Sequence, residues 1–387
     1  MVQRLLHTYK KLIFSSGLRI LGAAIAFGAH ALLLQYYSLS EYGVITAGLA
    51  SFIVAEGVLG TKSFEIGTVL AEKYDNRYYY DAFFVDFILI ILFIIITSIL
   101  YVLNVSYYYL FVYLTFITSR GLLIHDEFKK SKGLILSKIG LIDNVLRVLL
   151  IFYFSNREPQ GLLKIIAFSP IVSTLYSMRF SSDKKLLLVY PRREYLHLLG
   201  KSYTVNAIKS FQNGMDLIIL NFMGFASVAG VWSIITKTNS LISVLGNTAS
   251  EFFLSTTVKF SETINSRKYQ RLLRNSISWF LVLNLLLIFL IEIFLGLGIQ
   301  MFTIFDNKIN YIYLAILGLG VTTQWWTKYF SLSVNPWYSI HVVLINITVY
   351  LFLVFLNVKQ SEIISLLMII PGLRFLYWWI LLFRTVK

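Results

Sequence analysis

Apolar residues run in long uninterrupted blocks from one end of the chain to the other, and short polar stretches separate them. The block Phe87-Ile88-Leu89-Ile90-Ile91-Leu92-Phe93-Ile94-Ile95-Ile96 has no polar position at all. A half-buried strand alternates apolar and polar residues, and so does a strand of a transmembrane barrel. Continuous runs point instead to helices in lipid, where crossing a ~30 Å hydrocarbon core takes about 20 apolar residues. By that measure the pattern predicts spans over 12–35, 43–62, 82–103, 106–124, 133–154, 161–180, 203–222, 228–250, 276–300, 311–330, 337–357 and 361–383. The expected fold class is therefore an all-α polytopic membrane protein of about 12 transmembrane helices.

The polar connections give these spans a direction. Of the 34 Lys and Arg residues, 22 lie in the amino tail, in the connections after even-numbered spans or at the span ends that lead into them (Arg179, Lys328), and in the carboxyl tail, whereas 3 (Arg157, Lys308, Lys359) lie in the opposite connections. Basic residues accumulate on the cytoplasmic side, so both termini are expected there. Reporter fusions after residues 77, 130, 190 and 268 should report the cytoplasm, and fusions near 40, 157, 226 and 306 the outside. An outside signal at 190 would invert the scheme. The longest internal connection, 181–202, then divides the chain into an amino-terminal lobe of six helices, 1–180, and a carboxyl-terminal lobe of six, 203–387. The halves echo one another: Tyr42-Gly43-Val44 and Val58-Leu59-Gly60 are answered by Ala229-Gly230-Val231 and Val244-Leu245-Gly246. Internal duplication of this kind places a transport pathway between the repeats.

Composition agrees with a lipid solvent. Hydrophobic residues make up 57% and charged residues 14% of the chain, where a soluble domain carries about 25% charged residues. The net charge of +15 follows from the basic cytoplasmic connections, and no nucleic-acid partner is expected. The absence of cysteine removes disulfides, thiolate-bound zinc and iron–sulfur centres. His7, His30, His125, His197 and His341 show no helical pairing at i+3 or i+4, so no metal site is expected. Ala29-His30-Ala31 resembles a signal-peptide cleavage site, but the apolar run continues through Leu34, and the first span is expected to be retained.

Leu39-Ser40-Glu41-Tyr42-Gly43, following the first span, resembles the corresponding loop of bacterial polysaccharide flippases. So does Asp216-Leu217-Ile218-Ile219-Leu220, followed by Gly224, Ser227, Gly230-Val231-Trp232-Ser233 and Lys237. On these residues the chain is similar to the Wzx-type O-antigen flippases of the MOP exporter superfamily, the second half more closely than the first. Ala229 stands where that family has an acidic or small residue, and no proline follows Phe253. The resemblance implies two pseudo-repeated six-helix lobes of MOP/MATE-like fold in the bacterial inner membrane. It implies a carrier of undecaprenyl-diphosphate-linked oligosaccharide for O-antigen, lipopolysaccharide or capsule, working beside a polysaccharide polymerase and chain-length proteins.

A charge at the centre of a span costs at least about 2.5–3.5 kcal/mol on insertion scales, while one near an end extends to the interface cheaply. Depth sets Asp86, Arg120, Lys138 and Lys164 among the second kind. Asp143 and Arg147, four apart on one helix, are expected to neutralise each other, and Glu292 and Arg374 are candidates for buried ion pairs within a lobe. The remaining deep charges fall on spans one, two, seven and eight, which line the central cavity in the family. Arg19, Lys62, Lys209 and Lys237 are the candidate substrate-binding residues, since Arg and Lys neutralise and hydrogen-bond a diphosphate. Glu56, Asp216 and Asp143 are candidate sites for H+ or Na+ coupling, because a carboxylate in a low-dielectric cavity holds its proton nearer neutral pH. No catalytic residue and no resident cofactor are expected.

The rival readings differ in class. A major-facilitator carrier lacks support, because the loop after span two reads Ala71-Glu72-Lys73-Tyr74-Asp75-Asn76-Arg77 without that family's Gly-Asp-Arg motif. Gly57-Val58-Leu59-Gly60-Thr61-Lys62-Ser63 misses the spacing of a phosphate-binding loop. An ion-coupled multidrug exporter of related fold stays open. A membrane-embedded polymerase or glycosyltransferase would need a sizeable outward loop, and the outward connections are only a few residues long.

Overall fold

A computed structural model describes residues 2–60, 77–124, 134–180, 190–240, most of 281–318, parts of 341–349, and 360–385. Among the described residues every regular element is helical. That follows from the solvent, because in lipid each backbone N–H and C=O must be satisfied within its own segment. Contacts divide the chain into two compact units, one comprising Met1–Leu32 with Ile45–Ile218, the other Leu33–Val44 with Ile219–Lys387.

In the first unit, α1 (Val2–Tyr36) carries Ser15, Arg19 and Gly22 along one face, and this face packs on α5 (Leu134–Phe154). Ser15 Oγ meets Ser137 Oγ at 2.7 Å, and Asn144 Nδ2 donates to the Gly22 carbonyl at 3.0 Å. Small and polar residues let two helices approach closely in lipid. The second helix, α2 (Leu39–Leu59), opens on a capping box. Ser38 N donates to Glu41 Oε2 at 2.9 Å while Glu41 N donates to Ser38 Oγ at 3.4 Å. Helices α3 (Arg77–Val102) and α4 (Tyr108–Leu123) form a hairpin. Its turn closes with Asn104 at φ 55°, where Val105 N reaches back to the Leu100 carbonyl at 2.9 Å and satisfies a terminal acceptor. Phe87, Ile88, Ile91, Leu92, Ile94, Ile95 and Ile99 of α3 are exposed on the isolated chain, which is the expected state of a lipid-facing surface.

The span expected over 161–180 is present as the helical segment Pro159–Phe180, interrupted between α6 (Pro159–Ile166) and α7 (Pro170–Ser177). Pro170 has no N–H to give and its ring collides with the carbonyl four residues earlier, so it begins a helix instead of continuing one. The helix expected to start near 203 begins earlier, as α8 (Arg193–Phe222). Its first turns are held by the start of α3. Arg192 pairs with the fully buried Asp81 at 2.8 Å and lies 3.6 Å above the Tyr78 ring, beside a small core of Tyr78, Ala82, Tyr195 and Leu199. Further along, α8 packs on α2, with Tyr203 donating to the Val58 carbonyl and Gly214 seated against Ala50 and Val54.

In the second unit, Leu33–Val44 forms a corner with the helix over 226–240, here α9. The end of α8 is sealed by Gly224 at φ 81°, with Phe225 N bonded to the Leu220 carbonyl at 2.9 Å. Gly43 and Gly230 lie where the two backbones meet. A Cβ on Gly43 would overlap the Ala226 carbonyl, and one on Gly230 would overlap the Leu39 carbonyl. Tyr42 Oη and Ser233 Oγ, both fully buried, meet across this contact at 3.4 Å. The remaining described helices are α10 (Asn284–Ile293), α11 (Ile309–Gly318), α12 (Gln360–Leu367) and α13 (Ile369–Thr385).

Candidate functional site

The site is assembled where α2, α4, α5 and α7 of the first unit bring charges together inside the apolar spans, with α1 packed on another side of α5. Asp143 of α5 is flanked by two cations. One is Arg147, a turn further along the same helix; the other is Arg120 of α4. The carboxylate goes to Arg120: Arg120 Nη1 pairs with Asp143 Oδ2, and the same nitrogen reaches Ser173 Oγ of α7 at 3.2 Å. The side chains of Arg120 and Asp143 are only 14% and 13% exposed, so the pair is largely withdrawn from solvent. Two sequence expectations are corrected here. Arg120 does not extend to the membrane surface, and Asp143 does not neutralise Arg147. The contact is made by a single guanidinium nitrogen, which Ser173 also anchors, and it takes one oxygen of the carboxylate.

Around this pair lies Tyr113 of α4, buried and stacked on Phe52 of α2 at 4.7 Å between ring centroids. The charges of Glu56, Arg147, Arg120 and Asp143 all act on its hydroxyl, which places the four in one neighbourhood. Glu56 is one turn from Phe52 on α2 and is partly exposed. On the other side of α5, Arg19 Nε donates to Ser137 Oγ at 3.2 Å, which fixes the direction of its guanidinium. Arg147 is partly exposed, yet its Nε is buried and finds no hydrogen-bond partner among the described residues; Asp143 Oδ1 is in the same condition. The seam around Tyr113 thus holds two guanidinium groups, Arg120 and Arg147, with the carboxylates of Glu56 and Asp143, while Arg19 sits on the other side of α5.

The other candidates are placed as follows. Asp216 lies on α8 within the first unit, partly exposed, with Oδ1 accepting from Leu217 N at 2.9 Å. Lys209 occupies a position on α8. Lys237 is partly exposed on α9 of the second unit. Lys62 lies outside the described residues. Asp86 is 3% exposed, so it does not reach the surface either. Glu292 is exposed and accepts from Tyr311 Oη at 2.8 Å, which replaces the buried ion pair expected of it. Arg120, Tyr113, Ser137 and Ser173 are the residues that depth along a span did not single out. Depth measures distance to the membrane surface and says nothing of what lies on the adjacent helix.

No family model and no curated protein sequence matches the chain. Solved structures do. An inward-facing conformation of a multidrug resistance MATE family transporter of the MOP superfamily superposes with a TM-score of 0.68 at 13% identity, over 97% of this chain and 98% of that one. The chain has the MATE fold. An outward-facing conformation of a MATE family transporter gives a TM-score of 0.63 at 14% identity over 97% and 96% of the two chains. A eukaryotic MATE transporter gives 0.56 at 15% identity over 98% and 96%. Five described helical segments are long and apolar enough to cross a membrane, at Phe14–Tyr36, Leu39–Leu59, Arg77–Val102, Pro159–Phe180 and Glu362–Ile380. The chain is a multi-pass membrane protein of this fold.

Proposed function

We propose that this protein is a flippase that carries an undecaprenyl-diphosphate-linked oligosaccharide, an O-antigen or capsule repeat unit, from the cytoplasmic to the outer leaflet of the bacterial inner membrane by alternating access. The observation that supports the reading is the charge bias inside the expected spans, which enclose eleven Lys and Arg but six Asp and Glu. An exporter of organic cations would gain nothing from that excess, because like charges in a low-dielectric cavity repel strongly. A diphosphate gains from each one through charge-assisted hydrogen bonds.

In this reading the two six-helix lobes, 1–180 and 203–387, rock about the cavity. Arg19, Lys62, Lys209 and Lys237 guide the diphosphate, and the protein makes and breaks no covalent bond. The polysaccharide polymerase and chain-length proteins would receive the product at the outer leaflet. Coupling falls to a carboxylate, with Glu56 the first choice because it is partly exposed, lies at a seam and has no ion pair among the described residues. Asp216 is the second and Asp143 the third, since Arg120 already holds its carboxylate. Glu56→Gln should remove the pH or Na+ dependence of transport, and unchanged dependence at full rate would move the coupling role elsewhere.

The deciding measurement reconstitutes the protein in liposomes loaded with a fluorescent polyprenyl-diphosphate oligosaccharide. Protein-dependent movement of the label between leaflets, with no extrusion of a cationic dye, is the expected result. Dye extrusion without lipid movement would establish the multidrug reading instead.

A further inference from the structure

We propose that Arg120 is a positioning residue whose task is to hold Asp143 away from Arg147, so that the Arg147 guanidinium is left uncompensated to bind the anionic group of the cargo. The inference rests on the reading of the cargo as an anion and assigns a binding residue that the pattern of deep charges on spans one, two, seven and eight does not include.

Three observations support it. Asp143 and Arg147 stand at i and i+4 on α5, a spacing at which an acid and a base ordinarily pair. The carboxylate instead pairs with Arg120 of α4, and Ser173 of α7 holds the same Arg120 nitrogen at 3.2 Å. Arg147 then has its Nε buried without a hydrogen-bond partner and forms no ion pair among the described residues, although the residue is partly exposed. Leaving a buried guanidinium nitrogen unsatisfied is unfavourable, and an acceptor brought by the cargo would satisfy it. A phosphate or diphosphate oxygen fits a guanidinium edge through charge-assisted hydrogen bonds. Glu56 shares the neighbourhood through Tyr113 but makes no ion pair with Arg147 among the described residues, so it does not cancel this charge by contact. The Ser173 contact gives the Arg120 guanidinium a second anchor beside the carboxylate.

The test uses the full-length protein in detergent, with geranylgeranyl diphosphate as the binding probe and the labelled polyprenyl-diphosphate oligosaccharide in liposomes as the transport probe. Arg120→Leu frees Asp143 to collapse onto Arg147, and probe affinity should fall at least tenfold. The double variant Arg120→Leu/Asp143→Asn removes both members of the pair and leaves no orphaned charge; whatever it does to ion-coupled transport, it should bind geranylgeranyl diphosphate in detergent at least several-fold more tightly than Arg120→Leu. Adding Arg147→Gln to that double variant should again lose at least tenfold, and Arg120→Lys should bind nearly as well as wild type. If the single Arg120→Leu protein fails to insert, the double and triple variants still decide. A double variant that does not recover binding, or a triple variant that keeps it, overturns the assignment. A wild-type protein that binds the diphosphate lipid but does not move the labelled substrate between leaflets would overturn the flippase reading while leaving this inference intact.

Discussion

Gly43→Val should abolish transport and lower the amount of folded protein in the membrane at least several-fold, and Gly230→Val should do the same. The corner of Leu33–Val44 and α9 brings two backbones together at these positions. The Cβ of any other residue at 43 would fall on the Ala226 carbonyl oxygen and within 3.0 Å of Gly230 N. At position 230 it would fall on the Leu39 carbonyl and within 2.9 Å of the Leu39 side chain. Overpacking ordinarily costs about 1–3 kcal/mol because side chains can move aside. Here the obstruction is backbone on a helix, and relief requires the helices to separate, which also breaks the buried contact of Tyr42 with Ser233. Gly28→Ala is the matched control, since a Cβ there meets nothing within 4 Å and alanine favours the helix by about 1 kcal/mol. Thermal unfolding in detergent and quantitative membrane blotting read the difference. Wild-type folding of both valine variants would show that the corner is looser than its geometry states.

The same corner shows what the sequence disclosed and what it withheld. Tyr42-Gly43-Val44 and Ala229-Gly230-Val231 are legible as an internal echo because they repeat. Their meaning is not, since a glycine in an apolar run reads alike whether it faces lipid, as Gly17 can, or another backbone, as Gly43 does. Glu41, part of the motif that carries the family resemblance, proves to be one arm of a capping box with Ser38. That spacing, Ser-x-x-Glu, was open to reading from the sequence. The helical class was legible because lipid permits only closed hydrogen-bonding patterns and the apolar runs mark them out. The early start of α8 was hidden, because its first turns pack on Asp81 and Tyr78 and are too polar for a hydropathy window to include. The partner of Asp143 was hidden for a related reason. Spacing along one helix advertises Arg147, while the residue that takes the carboxylate comes from α4 and is held there by Ser173.

Under the proposed flippase reading, removing both Arg19 and Lys237 should eliminate surface polysaccharide in the host and leave the protein inserted at its normal level. An anionic diphosphate crossing a hydrocarbon core must be met by positive charge at the depth where it travels, because the ions' desolvation is otherwise uncompensated. Arg19 lies about five residues beyond Phe14, where the first apolar span opens, or roughly 7–8 Å along the helix at 1.5 Å per residue. Its orientation is set through Nε by Ser137, so the fork is presented in a fixed direction and the entropy of binding is reduced. Lys237 belongs to the other half of the internal echo, on the helix that begins at the glycine corner, and it supplies a point charge without a fork. Arg19→Lys should therefore keep part of the activity, and Arg19→Ala should lose most of it. Ser137→Ala should fall between the two, since it frees the guanidinium without removing its charge. The order wild type, Arg19→Lys, Ser137→Ala, Arg19→Ala in leaflet-to-leaflet transport rate, at matched protein levels, is the expected signature. Full polysaccharide display by the Arg19→Ala/Lys237→Ala protein would show that these two charges serve the fold and not the cargo.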